Sequence, residues 1–461
     1  MGNTLSLIAI TAALPAGLLL AFRLGFKKVY LGFVFGVYLF LPEVGVSLPY
    51  FIPVSKREII GFFSLIFLIS YAKEAHWKGR FLVYIFVLML FVGIIISNIF
   101  NQDTVFSLGS IYQGVTIYDG VAKSVKSFIV YSPFLVGLLL FCKIENQEKI
   151  IEWILFFGIL YGTLIWFEAR MSPQLHANIY GFFQHSFAQH IRGGGFRPIV
   201  FLPHALHVAF FAMLAFFSLI ILMRARLVEN DLIGKAKGGF LFISILLCKS
   251  LGSITFTIVF LPVIWVMSPK MIQRTALILA VIAMTFPVSR SLDVFPTDQI
   301  LEIAEQISPG RAASLATRFN SEDLLIDHAL ERPVWGWGTH GRNGVSVDGR
   351  QQAIFDGFWI IVFGSQGIVG FVTIFGLLFY PIFLIWRLGA SREIPIVVAG
   401  LSLLLAINMI ELLPNSTIGP WTWLIAGSLT GWAINERRMA TSQNSSTPGG
   451  EKSDTRPRTV I

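Results

Sequence analysis

Arginine is the residue whose type and spacing first suggest chemistry in this chain. Between Lys270 and Lys452 there is no lysine, and the polar stretch within that interval uses Arg290, Arg311, Arg318, Arg332, Arg342 and Arg350 instead. A guanidinium offers a flat fork of donors that binds phosphate oxygens in pairs and keeps its charge. Arg311 and Arg318 are seven residues apart. In a helix that spacing puts them on one face, about 10 Å apart along the axis, within reach of a single diphosphate. A second set lies in IRGGGFRPIVFLPHALH, from Ile191 to His207. There, three glycines between Arg192 and Arg197 allow backbone to approach a ligand closely, and Pro198 opens the next apolar run. The plainer use is also open, because arginines on amphipathic helices snorkel to headgroups or pair with carboxylates such as Glu322, Asp323 and Asp327.

Proton acceptors come next. Asp356 stands at the start of an apolar run, where it either takes a proton from an attacking hydroxyl or caps the helix beginning there. His340, on a glycine-rich turn, is the other base candidate, and Glu411, Glu168 and Asp119 sit near the ends of apolar runs. Trp335 and Trp337 offer aromatic faces of the kind that stack on sugar rings, although interfacial tryptophan is common in membrane proteins. His204 and His207 are three residues apart without a nearby Cys or carboxylate, which favours structural or substrate hydrogen bonding over metal binding. No metal site and no cofactor is expected.

These groups must be positioned by a membrane bundle. Of the 461 residues 55% are hydrophobic and only 13% charged, about half the charge of a soluble domain. Repeated apolar runs of about 18 residues predict an all-α, polytopic integral membrane protein with about 12–14 transmembrane helices. The runs fall at 4–22, 29–42, 58–72, 81–99, 127–142, 149–167, 200–223, 237–249, 252–268, 275–288, 360–386, 394–413 and 418–435. Lys and Arg concentrate in alternate short loops, so the net charge of +9 is a topology signal and no nucleic acid is expected as a partner. It places the amino terminus outside and the carboxyl terminus in the cytoplasm. The two cysteines, Cys142 and Cys248, exclude a disulfide framework. The amino terminus lacks a charged leader, so the first span is expected to be retained.

The expected organisation is an N-terminal transmembrane bundle over 1–288, with outer loops at 100–126 and 168–199. A large outer helical loop follows over 289–359, then C-terminal spans over 360–438 and a disordered cytoplasmic tail over 439–461. Within the large loop, 298–307 has helical apolar spacing with Thr297 as N-cap, and Ser308-Pro309-Gly310 reads as a turn. Two further short helices are predicted, from Arg311 to Phe319 and from Glu322 to Glu331, the second stopped at Pro333.

The run Arg318…Pro333-Val334-Trp335-Gly336-Trp337-Gly338, followed by Asp356-Gly357-Phe358-Trp359…Gly367-Ile368-Val369-Gly370, resembles the O-antigen ligase and polymerase superfamily. Members carry an R…P-x-G-x-G stretch in a large outer loop, then a polar pair and two spaced glycines on the next span. Arg192…Gly195-Phe196 ahead of His204 resembles that family's second loop, so the likeness covers about residues 190–435. The resemblance implies metal-independent transfer of a glycosyl unit from an undecaprenyl diphosphate-linked oligosaccharide, on the periplasmic side of the bacterial inner membrane. It implies Arg192, Arg197, Arg311 and Arg318 on the diphosphate, Asp356, His340 or Arg318 in catalysis, and Trp335 and Trp337 on sugar. Membrane lipid, a chain-length regulator and export proteins are the implied partners. Ligases usually have His-Asn where this chain has Asp356-Gly357. That departure favours a repeat-unit polymerase over a ligase moving finished glycan to lipid or protein. A flippase or transporter is the rival outside the enzymes, and its charges would sit near the midplane rather than at the outer mouths.

Overall fold

Apolar segments long enough to need a membrane become helices, because only helices satisfy every backbone polar group in hydrocarbon. The computed structural model describes residues 2–46, 53–107, 109–192, 194–307, 309–347 and 350–445; for residues 107, 307, 309, 311, 347 and 440–445 the backbone alone is described. Among these the helices are α1 (Thr4–Leu24), α2 (Phe26–Phe40), α3 (Lys56–Ser70), α4 (Phe81–Ile99), α5 (Ile117–Leu139), α6 (Ile144–Met171), α7 (Leu175–Tyr180) and α8 (Ala205–Arg224). They continue with α9 (Leu232–Leu247), α10 (Leu251–Val266), α11 (Pro269–Ser291), α12 (Thr297–Ile307), α13 (Pro309–Leu330), α14 (Phe358–Leu388), α15 (Ile396–Glu411) and α16 (Pro420–Ser445). Seven of them (α1, α4, α5, α6, α8, α11 and α14) are long and apolar enough to cross a membrane. Each of the other predicted runs coincides with a helix, α2, α3, α9, α10, α15 or α16. The protein is an all-α polytopic membrane protein whose only sheets, among the described residues, are three two-stranded hairpins.

Contacts sort the connections into two ends. At one end Asn3 donates to the carbonyl of Ile179 at 2.9 Å, and buried Lys56 pairs with Glu43 at 2.6 Å while donating to the carbonyl of Phe201. The large loop joins them there. At the other end Lys27 pairs with Glu74 and Arg392 with Glu436. The lysine- and arginine-rich short loops thus share one end, as expected of a consistent topology.

The packing that places the functional end centres on α5 and α16. Gly427 and Gly431 form a G-x-x-x-G pair on α16, and a Cβ at either would strike the carbonyl oxygens of Phe134 or Leu138 on α5. Gly137 of α5 answers them, facing the carbonyl of Leu424. Small residues let two backbones approach where lipid offers no hydrophobic drive. Ser132 adds a hydrogen bond to the carbonyl of Gly61 on α3 at 3.0 Å.

The large loop is built differently from the expectation. The predicted helices over 311–319 and 322–331 are one continuous helix, α13, and Pro309 and Gly310 open it rather than turn; Ser308 lies outside the described residues. Asn320 and Ser321 are weak helix formers. Tertiary contacts outweigh that cost: just past them Arg290 grips Glu322 at 2.9 Å and Asp323 at 2.5 Å. The loop expected over 100–126 also ends early, because Thr116 and Asp119 form a capping box that starts α5 at Ile117. At the carboxyl end α16 continues to Ser445, past the Arg438 limit of the expected last span; residues 446–461 of the expected tail lie outside the described residues.

The stretch 333–338 dips against α14, whose backbone breaks at Gly367 with φ 63° and ψ −164°. The N–H groups of Trp337 and Gly338 donate to the carbonyls of Gly364 and Ser365 at 2.8 and 2.9 Å, and Ile368 donates to the carbonyl of Pro333 at 2.8 Å. Those bonds replace the internal ones that the break removes. Glycine is required on both sides: a Cβ on Gly336 would meet the N–H of Gln366 at 2.5 Å, and one on Gly367 would strike the Val334 carbonyl.

Gly427→Leu is expected to destabilise the detergent-solubilised protein by about 1–3 kcal/mol through overpacking. The same measurement of thermal unfolding should show no loss for Gly239→Ala in the interior of α9, since nothing lies within 4 Å of a Cβ there and alanine favours the helix.

Candidate functional site

Three chain segments bring cations together at the loop-bearing end. The second loop forms a hairpin, β3 (Ile191–Arg192) with β4 (Gly195–Phe196), that rests on the turn between α9 and α10. Lys249 of that turn donates to the carbonyl of Arg192 at 2.8 Å, and a Cβ on Gly195 would sit 2.7 Å from its Nζ. Arg197 is 4% exposed, donates from Nε to the carbonyl of Cys248 at 3.4 Å, and leaves Nη2 without a partner. Burial lowers its pKa to about 10, with the charges of Arg192 and Arg318 pushing in the same direction. A buried guanidinium without a carboxylate is costly unless an anion completes it.

Arg318 comes to this cluster from α13. Its Nε lies 3.2 Å from Asp356 and its Nη1 reaches the carbonyl of Pro414 and the Asn415 side chain at 3.4 and 3.3 Å. The side chains of Arg318 and Asp356 are 36% and 33% exposed, so both remain reachable. Asp356 does not cap α14: Gly357 holds the N-cap position and makes no side-chain cap bond. Burial raises the Asp356 pKa above the usual carboxylate range, and the nearby Arg318 only partly offsets this. Glu411 is buried one turn before Asn415, which donates to it at 2.9 Å. The side chain of Arg311 lies outside the described residues.

His340 belongs to a different neighbourhood. Its Nε2 lies 3.1 Å from Asp119, it has a left-handed φ of 60°, and it lines a cavity between α4, α5 and α14. Among the described residues no hydrogen bond or ion pair joins it to the Arg318–Asp356 pair. The carboxylate and the imidazole read together from the sequence are therefore two separate features.

Several other expected site residues are structural. Trp337 is 2% exposed, with His328 stacked at 4.1 Å and the Arg332 guanidinium at 4.5 Å from its ring, so no face is left for a sugar. Trp335 is half-buried, 6.4 Å from Phe100. Glu168 is filled by the N–H groups of Leu175, Ile199 and Val200 at 2.7 to 2.9 Å. His204 caps α8 by accepting from the Leu206 N–H at 3.1 Å, and packs with His185 and His190 at ring separations of 4.6 and 5.6 Å. Burial holds His190 and His204 neutral, at about 4 and about 2. Among the described residues no group of three or more His, Cys, Asp or Glu is arranged to hold a metal ion.

Arg332 and Arg342 are clamps. Arg332 meets Asp103 at 2.8 Å, and Arg342, 2% exposed, donates to the carbonyls of Asp103, Tyr112 and Gln113. They tie the first loop to the third. The cations the sequence left unassigned are Lys123 and Lys126, which line the cavity beside His340. Their i,i+3 spacing was the available signal, and it was hidden because the apolar run begins only at 127. No protein-family model matches the chain, and no curated protein does either.

The Arg332 hydrogen bond holds the Asp103 pKa below the usual range. A depressed carboxylate contributes stability above its unfolded pKa of about 3.9 and loses it as pH falls through the folded value. Protection of 331–347 from protease should therefore decline below about pH 4, and Asp103→Asn should remove that acid step.

Proposed function

We propose that this protein is a glycosyltransferase that joins polyprenyl diphosphate-linked oligosaccharide repeat units at the outer face of a bacterial inner membrane. The observation that carries the reading is the set of Arg192, Arg197, Lys249 and Arg318, in which Arg318 pairs with Asp356 and Arg197 is buried, unmatched by carboxylate and holding an Nη2 without a partner. The docking of 333–338 onto Gly364–Ile368 supports it too, because the two stretches that carry the superfamily resemblance pack on each other.

In this reading an acceptor hydroxyl oxygen attacks the anomeric carbon of the donor sugar. The bond from that carbon to the diphosphate oxygen breaks, and the electron pair leaves with the diphosphate. Arg192, Arg197 and Arg318 face the charge that builds there, fixed in place before the reaction. Asp356 takes the hydroxyl proton. Its raised pKa brings it nearer the working pH and makes it a better base than a free aspartate. Arg311, on the same helix as Arg318, is assigned to the diphosphate with them.

Arg318→Ala should reduce polymer formed by isolated membranes by about 10²–10³, the usual cost of one donor to a developing anion. The protein should stay at its normal abundance in the membrane. Arg318→Lys should not restore the rate, because an ammonium lacks the fork. Long glycan persisting in Arg318→Ala would remove the diphosphate role. The rate should fall as pH drops through the raised Asp356 pKa, since the base acts only when ionised, and Asp356→Asn should abolish it at every pH. Activity is expected to survive EDTA, because the guanidinium groups supply the neutralising charge; a strict divalent-ion requirement would overturn that part.

A further inference from the structure

A second cationic site lies where the proposed transfer does not reach. The cavity between α4, α5 and α14 has a volume of about 560 Å³ and carries Lys123, Lys126 and His340 on its walls. It meets a cavity of about 410 Å³ that adds Arg57, the two sharing Lys123, Lys126, Tyr131 and Phe358. The carboxylates here are already engaged. Glu43 holds Lys56 at 2.6 Å, Asp119 closes the capping box with Thr116, and Glu58 caps Ser55 while reaching Lys126 at 3.4 Å. Among the described residues Lys123 has no carboxylate within 4.0 Å. The lumen therefore offers Lys123 as a cation that no carboxylate has already matched.

The walls also show what should enter. Tyr131 lines both polar cavities and an apolar crevice, and Trp423, tilted against it with ring centroids 4.3 Å apart, lines the second cavity and the same crevice. Beyond that pair the crevice is closed in by Val87, Leu90 and Phe91 of α4, Phe128, Phe134 and Leu135 of α5 and Leu377 of α14, and it holds only about 20 Å³. The roomier apolar wall belongs to the first cavity, where Ile94 of α4 faces Phe358, Ile361 and Val362 of α14. A free anion would use the lysines and leave that apolar wall bare, while a neutral lipid would leave the lysines unmatched. An amphiphile with a phosphate head and an apolar chain satisfies both.

We infer that this is a binding site for a phosphate-bearing membrane lipid. Its phosphate sits on Lys123, Lys126 and Arg57, and its chain lies along Ile94, Phe358, Ile361 and Val362 in the first cavity. Lysine suits the role, being a compact charge on a flexible stem that follows a head group of variable position. The site is independent of the Arg192–Arg318 cluster.

The test is lipid binding to the full chain in neutral detergent, followed by native mass spectrometry. The probes are dioleoylphosphatidylglycerol, undecaprenyl phosphate, uncharged dioleoylglycerol and inorganic phosphate. The two phosphate-bearing lipids should bind and dioleoylglycerol should not; whichever of the two binds tighter identifies the source and supports the site. Lys123→Ala with Lys126→Ala should weaken lipid binding at least about tenfold, the scale of a lost charge-assisted contact. Arginine at both positions should keep it within about threefold, which separates lost charge from lost fold. Ile361→Ala should weaken the lipid and not inorganic phosphate, and Arg318→Ala should leave phosphatidylglycerol binding unchanged. Unchanged affinity in the double alanine variant, equal binding of dioleoylglycerol, inorganic phosphate binding as tightly as lipid, or a loss of phosphatidylglycerol binding in Arg318→Ala would each overturn the inference.

Discussion

The structure depends on one exchange of backbone hydrogen bonds. A helix that breaks inside an apolar bundle strands polar groups at a cost of several kcal/mol each. Here α14 breaks at Gly367, and the stretch 333–338 supplies the missing partners to Gly364, Ser365 and Ile368. The loop cannot leave without exposing those groups, and the helix cannot straighten without evicting the loop. Ser97 of α4, which donates to the Ser365 carbonyl at 3.0 Å, and Asn101, which donates to the Gly336 carbonyl at 2.8 Å, bring a third element into the same joint. From this anchor α13 and the turn carrying His340 are projected over the bundle end.

Around that anchor, arginine does two kinds of work that the residue type alone does not separate. Arg290, Arg332 and Arg342 are matched by carboxylates or carbonyls and serve as clamps. Arg197 is buried with an idle nitrogen, and Arg318 is paired yet still a third exposed. The difference lies in the partner count: a satisfied guanidinium stabilises the fold, whereas an under-matched one keeps attraction in reserve for a ligand.

Much of the architecture was legible in the sequence. Each of the thirteen apolar runs became a helix, because hydrophobic length is a local property. The turn near Lys249 was also readable, although not its purpose, which needed the second loop resting on it. The capping box Thr116–Asp119 was present in the sequence, but the low hydropathy of 117–126 disguised nearly three turns of cavity-facing helix as loop. Asn320-Ser321 pointed to a break that Arg290, from another helix, overrides.

The sequence by itself determined the class, the helices, the charge asymmetry of the short loops and the gathering of arginine in the long polar segments. Each depends on residue type and near-neighbour spacing. Tertiary structure alone decided which arginine is a clamp and which is free, that Trp337 is enclosed rather than offered to a sugar, and that His340 and Asp356 belong to separate features. The physical reason is that a side chain's availability is set by its partners, and here those partners come from segments tens to hundreds of residues away.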